Sequence, residues 1–250
     1  MNGFLTGALC LILVIAVAGC ADRDAAARSE DVSPDVSSLS ADSTSPALQD
    51  TSMVYEGEGF SIEIRYPQAA LELPEIGDSL LAFSAGVEEP FRDLLAGRSP
   101  EEMDWSLSVY FSHMPSPRGL VCILASIYEY TGGAHAMNWD VSFVYDLERE
   151  MFIAPVTLLG DSSAFAAFAS AACDTLLMRF AGEFDAAWIE SGTAPTDLNY
   201  QALLPIPDST GGIAGFSVVF SPYQVAPYAY GSQEVMVRNA RIEAGPHFAT

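Results

Sequence analysis

His135 sits in the run Tyr130-Thr131-Gly132-Gly133-Ala134-His135-Ala136. A histidine in a glycine turn can act as a base, ligate a metal, lock the turn or face a ligand. Few chemical partners accompany it. His113 and His247 stand in unrelated contexts, and no HxxxH or His-carboxylate spacing includes His135, so the pattern of a metal site is missing. The pairs Glu88-Glu89 and Glu101-Glu102 supply carboxylates, but adjacent acids at helix starts and in loops read as solvated faces rather than the opposed pair of glycoside chemistry. No GxSxG elbow and no CxxC pair occurs, which leaves nucleophilic and redox catalysis without a signal. All ten basic residues are arginine, and without lysine there is no P-loop, Schiff base or Ser-Lys dyad.

What remains are residues of contact. Tyr130 and His135 lie at the hinge, and Tyr223 and Tyr228, with Tyr230, lie in the proline-interrupted run Phe220–Gly231. Tyrosine supplies large contact area with a polar tip. For His135 the readings are a structural role in the turn, contact with a partner, or catalysis and metal binding. For Tyr223 and Tyr228 they are packing between prolines over a sheet, or an aromatic binding surface. No catalytic residue, metal ligand or cofactor is assigned.

The elements that carry these residues follow from periodicity. Leu120 to Tyr130 is apolar and β-branched, and Asn138 to Asp146 alternates Val141, Phe143 and Tyr145 with polar residues. Separated by Gly132-Gly133, the two read as a hairpin, because glycine enters φ > 0 without steric cost. Order begins near Val54. Phe60, Ile62, Ile64 and Tyr66 alternate in a strand ended by Pro67, and Ile76 to Leu95 follows a helical spacing stopped near Gly97. Trp105 to Ser112 alternates again and joins the hairpin in a three-stranded antiparallel meander. Beyond the hinge, Met151 to Leu159 is an apolar run, Asp161 or Ser162 caps a helix over Ala164 to Phe180, and 183–210 reads as irregular because of Pro195, Pro205 and Pro207. Ile213 to Phe220 and Glu234 to Val237 are strands. No regular βαβ repeat appears, so the expected class is α+β, with antiparallel sheets, packed helices and two intertwined subdomains, 51–147 and 148–250.

Ahead of this region lies an export signal. Phe4 to Ala18 is almost wholly apolar but too short for a membrane-spanning helix with stop-transfer flanks. Val17-Ala18-Gly19-Cys20 resembles the lipobox of bacterial lipoproteins, which predicts signal removal over 1–19 and lipidation of Cys20, with several acyl chains giving stable anchoring. Residues 20–50, rich in Ser, Ala, Asp and Pro, read as a disordered acidic tether. Residues 51–250 carry 26 acidic and 8 basic side chains, a net −18, a field that repels nucleic acid and attracts cationic partners. Cys122 and Cys173 either bridge or remain two free thiols. A bridge would close a loop of roughly 50 residues and contribute about 4 kcal/mol in the chain-entropy model.

Tyr130-Thr131-Gly132-Gly133-Ala134-His135 and the Phe220 to Gly231 run, about 90 residues apart, together resemble the extracytoplasmic region shared by RsiV-type anti-sigma factors and PdaC-type peptidoglycan deacetylases. The resemblance spans roughly residues 54–240, and Ala136-Met137 stand where many relatives have Gly-Asn. It implies a non-catalytic head that binds a cell-envelope ligand. RsiV-type members are receptors for lysozyme, so a cationic muramidase is the first expected ligand. Peptidoglycan is the second, and an uncharacterised hydrolase using His135 is a more distant third. Neither a separate catalytic domain nor a sigma-binding segment is expected to accompany the head.

Overall fold

The computed structural model describes residues 51–99 and 103–238. The export signal, Cys20, the tether, Glu101, Glu102 and His247 lie outside the described residues.

Two sheets organise the described chain. Six strands run in the order β1 (Thr51–Gly57), β2 (Phe60–Tyr66), β3 (Trp105–Met114), β4 (Leu120–Tyr130), β5 (Met137–Asp146) and β6 (Met151–Ile153). All neighbours are antiparallel except β2 and β3, which are parallel. A parallel pair needs a crossover, and here it contains the short helix α1 (Gln68–Leu71) and the long helix α2 (Pro74–Leu95). The expected meander is therefore present as β3-β4-β5, set inside a larger mixed sheet within an α+β fold.

Alternation assigns the two faces of this sheet. Ile62, Ile64, Leu107, Val109, Phe111, Ile123, Ala125 and Ile127 bury one face under Ile76, Leu80 and Phe91 of α2. Each such large apolar side chain contributes roughly 1.5–3 kcal/mol on burial. Phe83 of α2 meets Phe111 and Phe143 edge-on, with centroids 6.0 and 5.1 Å away, and the Tyr66 hydroxyl pairs with the buried Ser84 hydroxyl at 2.5 Å. Pro90 interrupts the hydrogen bonding of α2 where the helix is exposed, as is the Gly86 carbonyl left over, so water can satisfy that carbonyl.

The second sheet is β7 (Leu203–Pro207), β8 (Ile213–Phe220) and β9 (Gln233–Arg238), all antiparallel. Helix α3 (Ser162–Arg179) covers it through Phe168 and Leu176, and the Asp161 side chain caps α3 by accepting from Ser163 N and Ala164 N. The segment read as irregular contains a short helix α4 (Ala186–Gly192), a 3-10 turn and β7. Pro205 and Pro207 are tolerated there because β7 is an edge strand, where the missing N–H faces no partner.

The uncovered end of the first sheet's other face meets the second layer. Ser142 of β5 donates from its backbone N to Gln201 O and from its hydroxyl to Leu203 O, while Cys122 and Val144 pack on Leu204. Cys122 and Cys173 are both free thiols, so the candidate bridge is not formed. Cys122 is buried in this small cluster, whereas Cys173 sits on α3 against the other core. Burial raises the Cys122 thiol pKa, with the Ser116 hydroxyl partly opposing it, so this thiol is held in its unreactive form.

Candidate functional site at the hinge and the aromatic loop

Strands β4 and β5 pair from Leu120↔Asp146 to Glu129↔Met137, leaving Thr131–Ala136 as the connection. Gly132 and Gly133 both lie at positive φ, 91° and 98°. That is the backbone the glycine pair was read to require, and a β-branched side chain at either position would strain it.

The aromatic loop is fastened from below. Val225 and Ala226 are buried in the second core, and the Gln224 amide donates to Gly192 O and Asn199 O while its oxygen accepts from Ser221 N. Here Gly192 is needed for close approach, since a Cβ would lie 2.0 Å from Gln224 O. With Val225 and Gln224 pulled inward, the preceding Tyr223 is forced outward. It adopts φ 70°, one of two described non-glycine residues at positive φ, and is 46% exposed. A tyrosine in this conformation is an energetic outlier that its surroundings must hold. Trp188 of α4 does so by donating from Nε1 to Tyr223 O at 2.9 Å.

Hinge and loop meet at His135. Its Nδ1 lies 3.0 Å from Ala136 O, and its Nε2 lies 2.9 Å from the Tyr223 hydroxyl. A carbonyl only accepts, so Nδ1 carries the proton. In the neutral ring, Nε2 then accepts from the tyrosine. Tyr228 stacks on the imidazole with centroids 3.8 Å apart and planes at 17°, and its hydroxyl accepts from Asn138 Nδ2 at 3.2 Å. Three of the four contact residues read from sequence, His135, Tyr223 and Tyr228, thus form one cluster. Tyr130 does not join them: its hydroxyl turns to Gly133 O and to Met103 S, on the hollow beside the turn.

Asn138 and Trp188 were not singled out in the sequence. Asn138 could have been reached through the alternation of β5, which places it beside Tyr128 and on the same face as Asp140. Trp188 carries no such signal, because its role depends on how α4 docks against the loop.

That face continues as a polar hollow lined by Tyr110, Ser126, Tyr128, Asn138, Asp140 and Ser232. Two carboxylates on this face of the sheet differ, Asp140 in the lining and Glu63 outside it. Glu63 accepts from the Tyr110 hydroxyl at 2.7 Å and pairs with Arg65, and these hold its pKa down. Asp140 accepts from Ser126 at 2.5 Å, yet burial outweighs this bond and raises its pKa. Among the described residues no three His, Cys, Asp or Glu side chains converge as a metal site, and no helix is long and apolar enough to cross a membrane.

No protein-family model and no curated protein matches the chain. Among solved structures, its fold is similar to that of a DUF3298 family protein from Pseudomonas aeruginosa, with TM-score 0.55 and 20% identity over 78% of this chain and 91% of that one. A DUF3298 member from Bacteroides fragilis gives TM-score 0.48 and 14% identity over 79% and 92%. The likeness to the Pseudomonas protein is one of fold, and both neighbours are described only as members of a domain family designated by number.

Proposed function

We propose that the chain is an exported, lipid-anchored binding protein, held at the membrane through Cys20, whose acidic head takes a cationic envelope protein on the joint of hinge and aromatic loop. The narrower kinship with RsiV-type receptors and PdaC-type deacetylases belongs to this reading, and it makes a basic muramidase such as lysozyme the first ligand to test. The observation that carries it is Tyr223, strained, half-exposed and held in place by His135 and Trp188 from two other elements. Strain maintained at an exposed aromatic is a mark of recognition surfaces rather than of packing. The net −18 of residues 51–250 supplies the attraction. Turnover is not part of the reading, because His135 Nδ1 faces the Ala136 carbonyl rather than a carboxylate that would orient a base.

Calorimetry on the full chain in detergent micelles tests it against lysozyme and against cytochrome c, a basic protein of unrelated shape. At ~150 mM salt the Debye length is about 8 Å, and loose attraction is screened. Lysozyme should still bind, and Tyr223→Gly, which keeps the backbone conformation and removes the ring, should weaken it by about 1 kcal/mol or more. Equal binding of both proteins, lost together in salt, would overturn the reading in favour of salt-insensitive binding of peptidoglycan fragments. The anchor has its own test: Cys20→Ser should abolish detergent partitioning, and unchanged partitioning would show that no lipid is attached there.

A further inference from the structure

Trp105 opens β3 with its ring packed at 6.4 Å from Phe91 and only 8% exposed. Its Nε1–H has no hydrogen-bond partner among the described residues. Buried indole N–H groups nearly always have one, so an unpaired donor asks for an explanation. The nitrogen faces the hinge: a Cβ built on Gly132 would lie 3.6 Å from it and near nothing else. Because position 132 is glycine, at φ 91°, no side chain of the turn stands against the indole edge. It belongs to a hollow of about 320 Å³ lined by Met103, Trp105, Tyr130, Thr131, Gly132 and Gly133.

The lining restricts what fits. An indole N–H only donates, so the ligand atom beside it must accept. The Tyr130 hydroxyl is engaged with Gly133 O at 3.1 Å and Met103 S at 3.5 Å, and the Met103 and Tyr130 side chains make the adjoining wall apolar. Among the described residues no cationic side chain lines the hollow, the Arg98 guanidinium nearby is engaged by Asp104 and Met103 O, and the whole head is acidic. An anionic acceptor would be buried there without compensation.

We propose that this hollow binds a neutral amide carbonyl carrying a small alkyl group, such as an acetamido group. The carbonyl oxygen accepts from Trp105 Nε1–H in the space above Gly132, and the methyl lies against Met103 and Tyr130. The site is separate from the His135 cluster and does not depend on a protein ligand being bound there. An acetamido group occurs on amino sugars and on acylated peptides, which share this chemistry.

The indole Nε1–H resonance of Trp105 reports the contact directly. The 15N-labelled full chain in detergent micelles is titrated with N-acetylglucosamine, with N-acetylalanine methylamide and with acetate, the resonance being identified by its loss in Trp105→Phe. The Trp105 signal should move downfield and saturate with at least one of the two amides, while those of Trp139 and Trp188 stay in place and acetate has no effect. The amide that binds more tightly names the source. Gly132→Ala fills the space and should weaken binding about tenfold, and Met103→Ala, at a 70% exposed position, by a few-fold with the fold untouched. A Trp105 signal that fails to saturate with either amide, responds equally to acetate, or is unaffected by Met103→Ala would overturn the assignment.

Discussion

Two aromatic clusters of this protein use the same side-chain chemistry to opposite ends. Under α2, Phe83, Phe111, Phe143 and Phe152 meet in tilted and edge-on pairs, with Tyr66 stacked on Phe111 and its hydroxyl given to a buried serine. At the junction of hinge and loop, His135, Tyr223 and Tyr228 also stack, but each keeps a polar atom engaged at the surface. The first cluster is held by the burial of Tyr66 and Phe111, with half-buried Phe83, Phe143 and Phe152 packed against them, so its loss costs stability. The second is held by directed bonds from separate elements, so its loss costs presentation.

The contrast is sharpest where a core ring is removed. Phe111→Ala, at a position 4% exposed and touching three of the cluster's rings, Tyr66, Phe83 and Phe143, should destabilise the head by about 3–5 kcal/mol. A thermal or denaturant midpoint near that of the wild type would mean the cavity collapses without loss. Next in size is the hinge. Gly133→Val places a β-branched residue at φ 98° with open space around its Cβ, so strain alone acts and should cost roughly 1–2 kcal/mol or more. An unchanged midpoint would show that the turn relaxes freely. Smaller again is Tyr223→Phe, which keeps the ring and removes only the bond to His135. It should cost about 1 kcal/mol or less in stability, read as a small drop in the denaturant midpoint, and a drop of several kcal/mol would mean that this bond holds the fold rather than the presentation of the ring.

How much of this was legible in sequence depends on how local the cause was. The strand spans Phe60 to Tyr66, Leu120 to Tyr130 and Ile213 to Phe220 match the structure, because alternation is written into neighbouring residues. The Asp161 cap and the positive φ of the glycine pair were legible for the same reason. β7 was not, since its prolines argue against a strand until one knows that it lies at a sheet edge. The parallel β2–β3 pairing was hidden too, because residues 60–66 and 105–110 are joined only through the packing of α2. At the site, residue type pointed to His135, Tyr223 and Tyr228. Their joining, and the part played by Asn138 and Trp188, depends on bonds between residues 35 to 90 positions apart.

Asp140 gives the finest test of the contrast, because its effect is one of sign. A half-buried carboxylate would be out of place in the phenylalanine core, yet the polar face keeps one beside Ser126. Burial raises its folded pKa above the ordinary aspartate value, the Ser126 bond opposing in part. A raised acid pKa means that the folded state binds more protons than the unfolded state between the two values. Stability therefore falls as pH rises through that window, and the loss persists at neutral pH. Asp140→Asn removes the ionisation while its amide oxygen can still accept from Ser126. The variant should melt above the wild type at pH 7, and the gap should close as pH falls below the ordinary aspartate range, where the native side chain is protonated in both states. The acidic head as a whole responds to pH equally in both proteins, so the difference between the two melting curves isolates this one group. A variant that melts below the wild type at pH 7, with a gap that does not narrow in acid, would mean that the Asp140 carboxylate is stabilised where it sits and that charge helps to hold the polar face together.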